Sequence, residues 1–173
     1  MNNGFTLRFV PQLMVTKFGQ TEAQAGEQAA KFAFYDDFVL LAMTPVSAIL
    51  MDVWHRKAIT VLAFLGMGGV MIGISFVTTL FPGFMTFNMF FGVCFVPMVN
   101  SPFFSDYVAV EAMGPAVSFI FVFHILGDLV SSFACVWIHG LGVQVDTLFF
   151  AMGCSQVFGA GLMLILLKEM PRK

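Results

Sequence analysis

Apolar and polar positions fall in blocks along this chain: long apolar runs separated by short polar interruptions. A helix needs about 20 mostly apolar residues to cross the hydrocarbon of a bilayer. The runs predict spans over about 33–51, 58–80, 84–104, 115–138 and 147–167, with a shorter, partial first helix over 4–18 broken by Arg8, Pro11 and Gln12. Between the first two runs, Gln20 to Lys31 carries Glu22, Glu27 and Lys31 among Ala and Gln, a helix-favouring composition too polar for hydrocarbon, which reads as a connection outside the bilayer. Ala23-Gln24-Ala25 imitates a signal-peptide cleavage site, but the basic start and unbroken apolar core of such a signal are absent. Tyr35-Asp36-Asp37 opens the second run, and acids near a helix N-terminus suit its dipole, so this pair reads as an interfacial cap before it reads as a substrate or metal site.

Later punctuation is of the same kind. Phe81-Pro82-Gly83 predicts a turn, and Pro97 predicts a kink in the fourth span. Ser105 to Gly114 forms a short connection ahead of Pro115, a residue suited to a first helical turn. The Gly-containing stretch His139 to Val145 is a loop, and Asp146-Thr147 is expected to cap the sixth span. In the third span Gly69 and Gly73 form a GxxxG pair that would let a neighbouring backbone come close. The expected fold is therefore all-α: one polytopic membrane bundle over residues 1–173, its first helix truncated.

Composition supports the same class, with 59% hydrophobic and 10% charged residues, more apolar surface than one soluble core of 173 residues could hide. A net charge of -2 leaves no basic surface for nucleic acid. Cys94, Cys135 and Cys154 lie inside apolar runs without CxxC spacing and read as packing residues. No HxxxH or ExxH ligand spacing appears, so neither a metal, another cofactor nor an enzymatic centre is expected. Arg56, Lys57, Lys168, Arg172 and Lys173 fall on one side of a six-span arrangement, with Lys17 and Lys31 on the other. The richer side, which holds the C-terminus, is the cytoplasmic one by the positive-inside rule.

Polar residues inside spans are costly and are the candidates for chemistry. His124 and Asp128 lie four apart on one face of the fifth span, with Gly127, Ser131 and Cys135 continuing a small or polar stripe. Phe119, Ile120, Phe123, Val130 and Phe133 occupy the rest of the circumference, so the stripe is expected to face inward. An acid at mid-span costs roughly 2.5–3.5 kcal/mol on insertion scales. A histidine changes charge near neutral pH, so the pair can take up and release a proton; the alternative is a structural hydrogen bond between helices. Arg8, Asn88 and Asn100 complete the candidate proton or substrate pathway. Asp52, at the unfavourable negative end of the second span, with Arg56 and Lys57 following, is a candidate cytoplasmic gate; a simple topogenic cation pair is the alternative.

The run Ala48-Ile-Leu-Met-Asp52-Val-Trp-His-Arg56-Lys57 resembles the loop after the second helix in each half of the major facilitator superfamily. The spacing of acid and cations is kept, while Ala48 and His55 stand where the family favours glycine. Ser101 to Gly114, with Asp106 and Glu111, resembles the family's connection between fourth and fifth helices; Met113 and Asn88 stand where it usually has arginines. His124-Ile-Leu-Gly127-Asp128 is similar to a stretch in the later half of Spinster-type lipid transporters. The resemblance implies one six-helix half of a secondary transporter, either N- or C-terminal, that moves a small solute by alternating access about a midplane site. It also implies a second bundle, in the same longer chain or in a second copy. A non-transporting structural or assembly subunit, held by lipid and neighbouring helices, is the competing expectation.

Overall fold

The computed structural model describes residues 3–54, 56–99 and 108–166. Helices α1 (Asn3–Phe18), α2 (Glu22–Val53), α3 (Arg56–Phe76), α4 (Met85–Val99), α5 (Met113–Gly140) and α6 (Val145–Leu166) account for most of them, with no strand among the described residues. A π-type turn, Leu80–Phe84, leads into α4, and one 3₁₀ turn, Val110–Ala112, leads into α5. Four of the helices, α2, α3, α5 and α6, are long and apolar enough to cross a membrane; the apolar helix over Leu80–Val96 is shorter.

The largest departure from the expected boundaries is the start of α2, which begins at Glu22 and runs unbroken through Pro45 to Val53. Thr21 builds a capping box: its hydroxyl accepts from the Gln24 amide at 3.3 Å, and the Gln24 side chain accepts from the Thr21 amide at 3.2 Å. One turn on, Glu27 and Lys31 pair at 2.7 Å in the favoured acid-first order. The Lys31 ammonium, as hydrogen-bond donor and as opposite charge, holds the Glu27 carboxyl below its ordinary range. Residues 22–31 are thus helical, in line with their helix-favouring composition, and continuous with the apolar run, because polar helix formers continue a helix as well as apolar ones do. At 1.5 Å per residue, α2 is about 48 Å long and exceeds the roughly 30 Å apolar core of a bilayer. The polar first turns therefore extend past it.

Shape complementarity at two glycines sets the centre of the bundle. On α3 and α6, Gly68 and Gly153 meet face to face: a Cβ on Gly68 would lie 2.8 Å from the Gly153 carbonyl oxygen, and one on Gly153 would lie 2.7 Å from that of Gly68. Any side chain there would have to push two helix backbones apart. The expected Gly69–Gly73 pair does not act as a unit; Gly69 faces open space, while Gly73 receives the Phe87 ring from α4. Around this crossing the core collects Leu13 and Met14 of α1, Met67 and Met71 of α3, and Phe149 of α6, with Phe84 entering from the π-type turn. Helix α4 packs between α2 and α3, whereas α5 leans more lightly on α1 and α6. Much of the apolar surface of α2 and α5 is left uncovered, as at Leu41 and Phe133, 73% and 79% exposed. In a chain of this composition that surface suits lipid or another membrane-embedded partner.

Candidate functional site

At the α2–α3 end, Asp52 and Arg56 approach to 3.9 Å across the connection, with the carboxylate largely exposed. Lys57 turns elsewhere and donates to the Leu164 carbonyl of α6 at 3.0 Å. That bond ties the first turn of α3 to the later part of α6. The three residues of the expected gate thus divide in two: an ion pair across the turn and a tether to α6.

On α5 the small and polar stripe is the covered side of an otherwise open helix. Cys135 is buried, and Gly127, Asp128 and Ser131 are half-buried, whereas Phe119, Phe123, Val130 and Phe133 are exposed. The Ser131 hydroxyl donates to the Asp128 carbonyl at 3.1 Å. His124 and Arg8 lie on α5 and α1, but their side chains fall outside the described residues, as do Asn100, His55, the 101–107 run and the C-terminal tail. Cys94 is half-buried and Cys154 exposed; all three cysteines are free.

Asn88 is buried on α4, and its amide donates to the Asp36 carboxylate of α2 at 2.8 Å. Asp36 sits about four turns into α2, so it does not cap that helix as expected from its place ahead of an apolar run; Thr21 fills that role. Beside the pair, Gly92 lets Val39 of α2 come close to α4: a Cβ there would lie 3.3 Å from the Val39 side chain and 3.7 Å, an ordinary contact, from the Asp36 carboxylate. Two of the acids within the helices thus have different settings, Asp36 with Asn88 between α2 and α4 and Asp128 beside Ser131 on α5, while Gln156 is a further buried polar side chain on α6. α4 packs chiefly on α2 and α3, and α5 on α1 and α6.

At the other end of the bundle from Lys57, Lys17 in the last turn of α1 is 15% exposed and makes three contacts. Its ammonium donates to the Ser75 and Ile74 carbonyls at the C-terminus of α3, at 2.7 and 3.4 Å, and meets the Asp146 carboxylate of α6 at 3.1 Å. Asp146 lies in the first turn of α6, where a negative charge is favoured. Beside it opens a cleft of about 420 Å³ lined by Thr16, Lys17, His139, Gly142, Val143, Gln144, Val145 and Asp146. Gly142, with φ +88°, turns the short α5–α6 connection back on itself. That turn lets the His139 Nδ1 lie 2.9 Å from the Val143 carbonyl, while Phe9 packs edge-on to the imidazole with ring centroids 6.2 Å apart. Among the described residues, no group of three or more His, Cys, Asp or Glu is arranged to hold a metal ion.

No protein-family model, curated protein or solved structure matches the chain.

Proposed function

We propose that this chain is a six-helix bundle of a major facilitator-type secondary transporter, moving a small solute across a membrane by alternating access, with a proton as the candidate coupling ion. The observation that carries the reading is the Asp36–Asn88 hydrogen bond between α2 and α4. A carboxylate and an amide inside long apolar helices cost insertion free energy, and such groups mark ion or solute paths more often than scaffolds do. Asp128, half-buried on the covered stripe of α5, adds a second polar group at mid-helix. The partner in this reading is another six-helix bundle, and the uncovered faces of α2 and α5 are available to it. The Asp52–Arg56 pair then lies at the cytoplasmic end, following the excess of Lys and Arg there.

The test is uptake of a panel of labelled solutes by membrane vesicles carrying the protein, as wild type and as Asp128→Asn and Asp36→Asn. Each substitution keeps shape and one acceptor but removes titration. The reading expects at least one solute to be taken up, and either variant to lower the uptake or flatten its pH dependence. Wild-type kinetics in both variants would assign these acids to helix packing alone.

A further inference from the structure

The cleft between Lys17, His139 and Asp146 lies outside the proposed pathway, and the donors and acceptors of these three side chains can be counted. A lysine ammonium has three donors and no acceptor. All three Lys17 donors are committed, to Ser75, Ile74 and Asp146, so the cleft's cation has none left for a ligand. Asp146, 34% exposed, is the more accessible partner, and a carboxylate has about four acceptor positions. A carbonyl only accepts, so His139 Nδ1 must carry the hydrogen shared with Val143, and Nε2 of the neutral ring is left as an acceptor.

Helix ends add to this polarity. Of the helices that line the cleft, α1 and α5 finish there with their carbonyl ends and α6 begins there with its amide end. The partial charges of helix termini therefore favour a positive ligand on balance, in spite of the nearby lysine.

We infer that this cleft is a binding site for a small primary ammonium group, held by the Asp146 carboxylate and the His139 Nε2. The ammonium supplies N–H donors to both acceptors and a charge to the carboxylate, and the volume of about 420 Å³ takes a small organic amine. A quaternary ammonium has the charge but no N–H donor and is disfavoured. A carboxylate or phosphate meets the Asp146 charge and the His139 acceptor, with the Gln144 amide as the side-chain donor opposite them, and is disfavoured. The amine can be a free solute or the headgroup of an aminophospholipid.

Calorimetry on the purified protein in phosphatidylcholine nanodiscs tests this, with ethanolamine, choline and propionate as probes. Ethanolamine is expected to bind, choline about tenfold more weakly, and propionate not at all. His139→Leu removes one acceptor without touching the Lys17–Asp146 pair and should weaken ethanolamine by about tenfold. Asp146→Asn should abolish binding, with circular dichroism confirming that the helices remain. Discs containing phosphatidylethanolamine separate the two sources: loss of the ethanolamine signal there identifies the lipid headgroup, and its persistence identifies the free amine. Absence of ethanolamine binding, propionate binding as tight as ethanolamine, or unchanged affinity in both variants would overturn the assignment.

Discussion

At the scale of single residues, Lys17 and Lys57 have unequal consequences. Lys17 is mostly buried and joins three helices, so Lys17→Met takes the shared cation from the Ser75 carbonyl and the Asp146 carboxylate at once, while the Ile74 carbonyl keeps the Val77 amide. Leaving such groups unpaired should destabilise the bundle by about 1–3 kcal/mol in detergent-based unfolding. The double mutant with Asp146→Asn should recover part of that loss, since the uncompensated charge goes with it. Lys57 makes one exposed hydrogen bond to Leu164, and Lys57→Met should cost about 1 kcal/mol or less. Asp52→Asn removes a long, exposed ion pair and should leave stability within about 0.5 kcal/mol. Little of this was legible in the sequence. Lys57 follows Asp52 and Arg56 so closely that the three read as one motif, yet successive helical residues point in different directions, and only Arg56 meets the acid. Lys17 and Asp146 are far apart in sequence, and no local pattern couples them. The available hint was a cation in the last turn of one helix and an acid in the first turn of another.

For the elements, apolar run length located every helix but misplaced one important start. Residues 20–31 combine a helix-favouring composition with too much polarity for hydrocarbon, so the apolar run alone places the expected span start at Ala33. Thr21-x-x-Gln24 is a capping-box pattern and Glu27–Lys31 an i,i+4 pair, and both were readable. Moving the helix start to Glu22 changes the meaning of Asp36 from a cap to an acid inside a helix, so the error at the element became an error at the site. Helix crossing was harder to read. A GxxxG spacing identifies small residues on one helix, but which of them meets a neighbour depends on rotation about the helix axis, and Gly68 took the contact in place of Gly69. This yields a paired expectation. Gly153→Ala puts a methyl into the α3 backbone and should destabilise by about 1–3 kcal/mol, whereas Gly69→Ala, facing open space, should be neutral or slightly stabilising. Melting temperatures of the two alanine variants, measured side by side in one detergent, decide it.

On the scale of the whole molecule, the α3–α6 pair is closed at its centre by glycines and tied at one end by Lys17, which reaches the last carbonyls of α3, and towards the other by Lys57, which reaches the Leu164 carbonyl of α6. Against this firm pair, α5 is lightly held, with its polar stripe inward and its aromatic residues outward. A lightly held helix carrying the mid-span acid is the element suited to move if the bundle alternates between two openings. The central claim is that the α5 stripe lines a path reachable from both sides of the membrane. Ser131→Cys, in a background with Cys94, Cys135 and Cys154 changed to alanine, places one thiol on that stripe, and Phe133→Cys places one on the exposed face as a control. Labelling by a membrane-impermeant thiol reagent, applied to right-side-out and then to inside-out vesicles, measures access directly. Reaction at position 131 from both sides, with little at 133, is the predicted result; a position 131 that stays unlabelled from either side would contradict the claim.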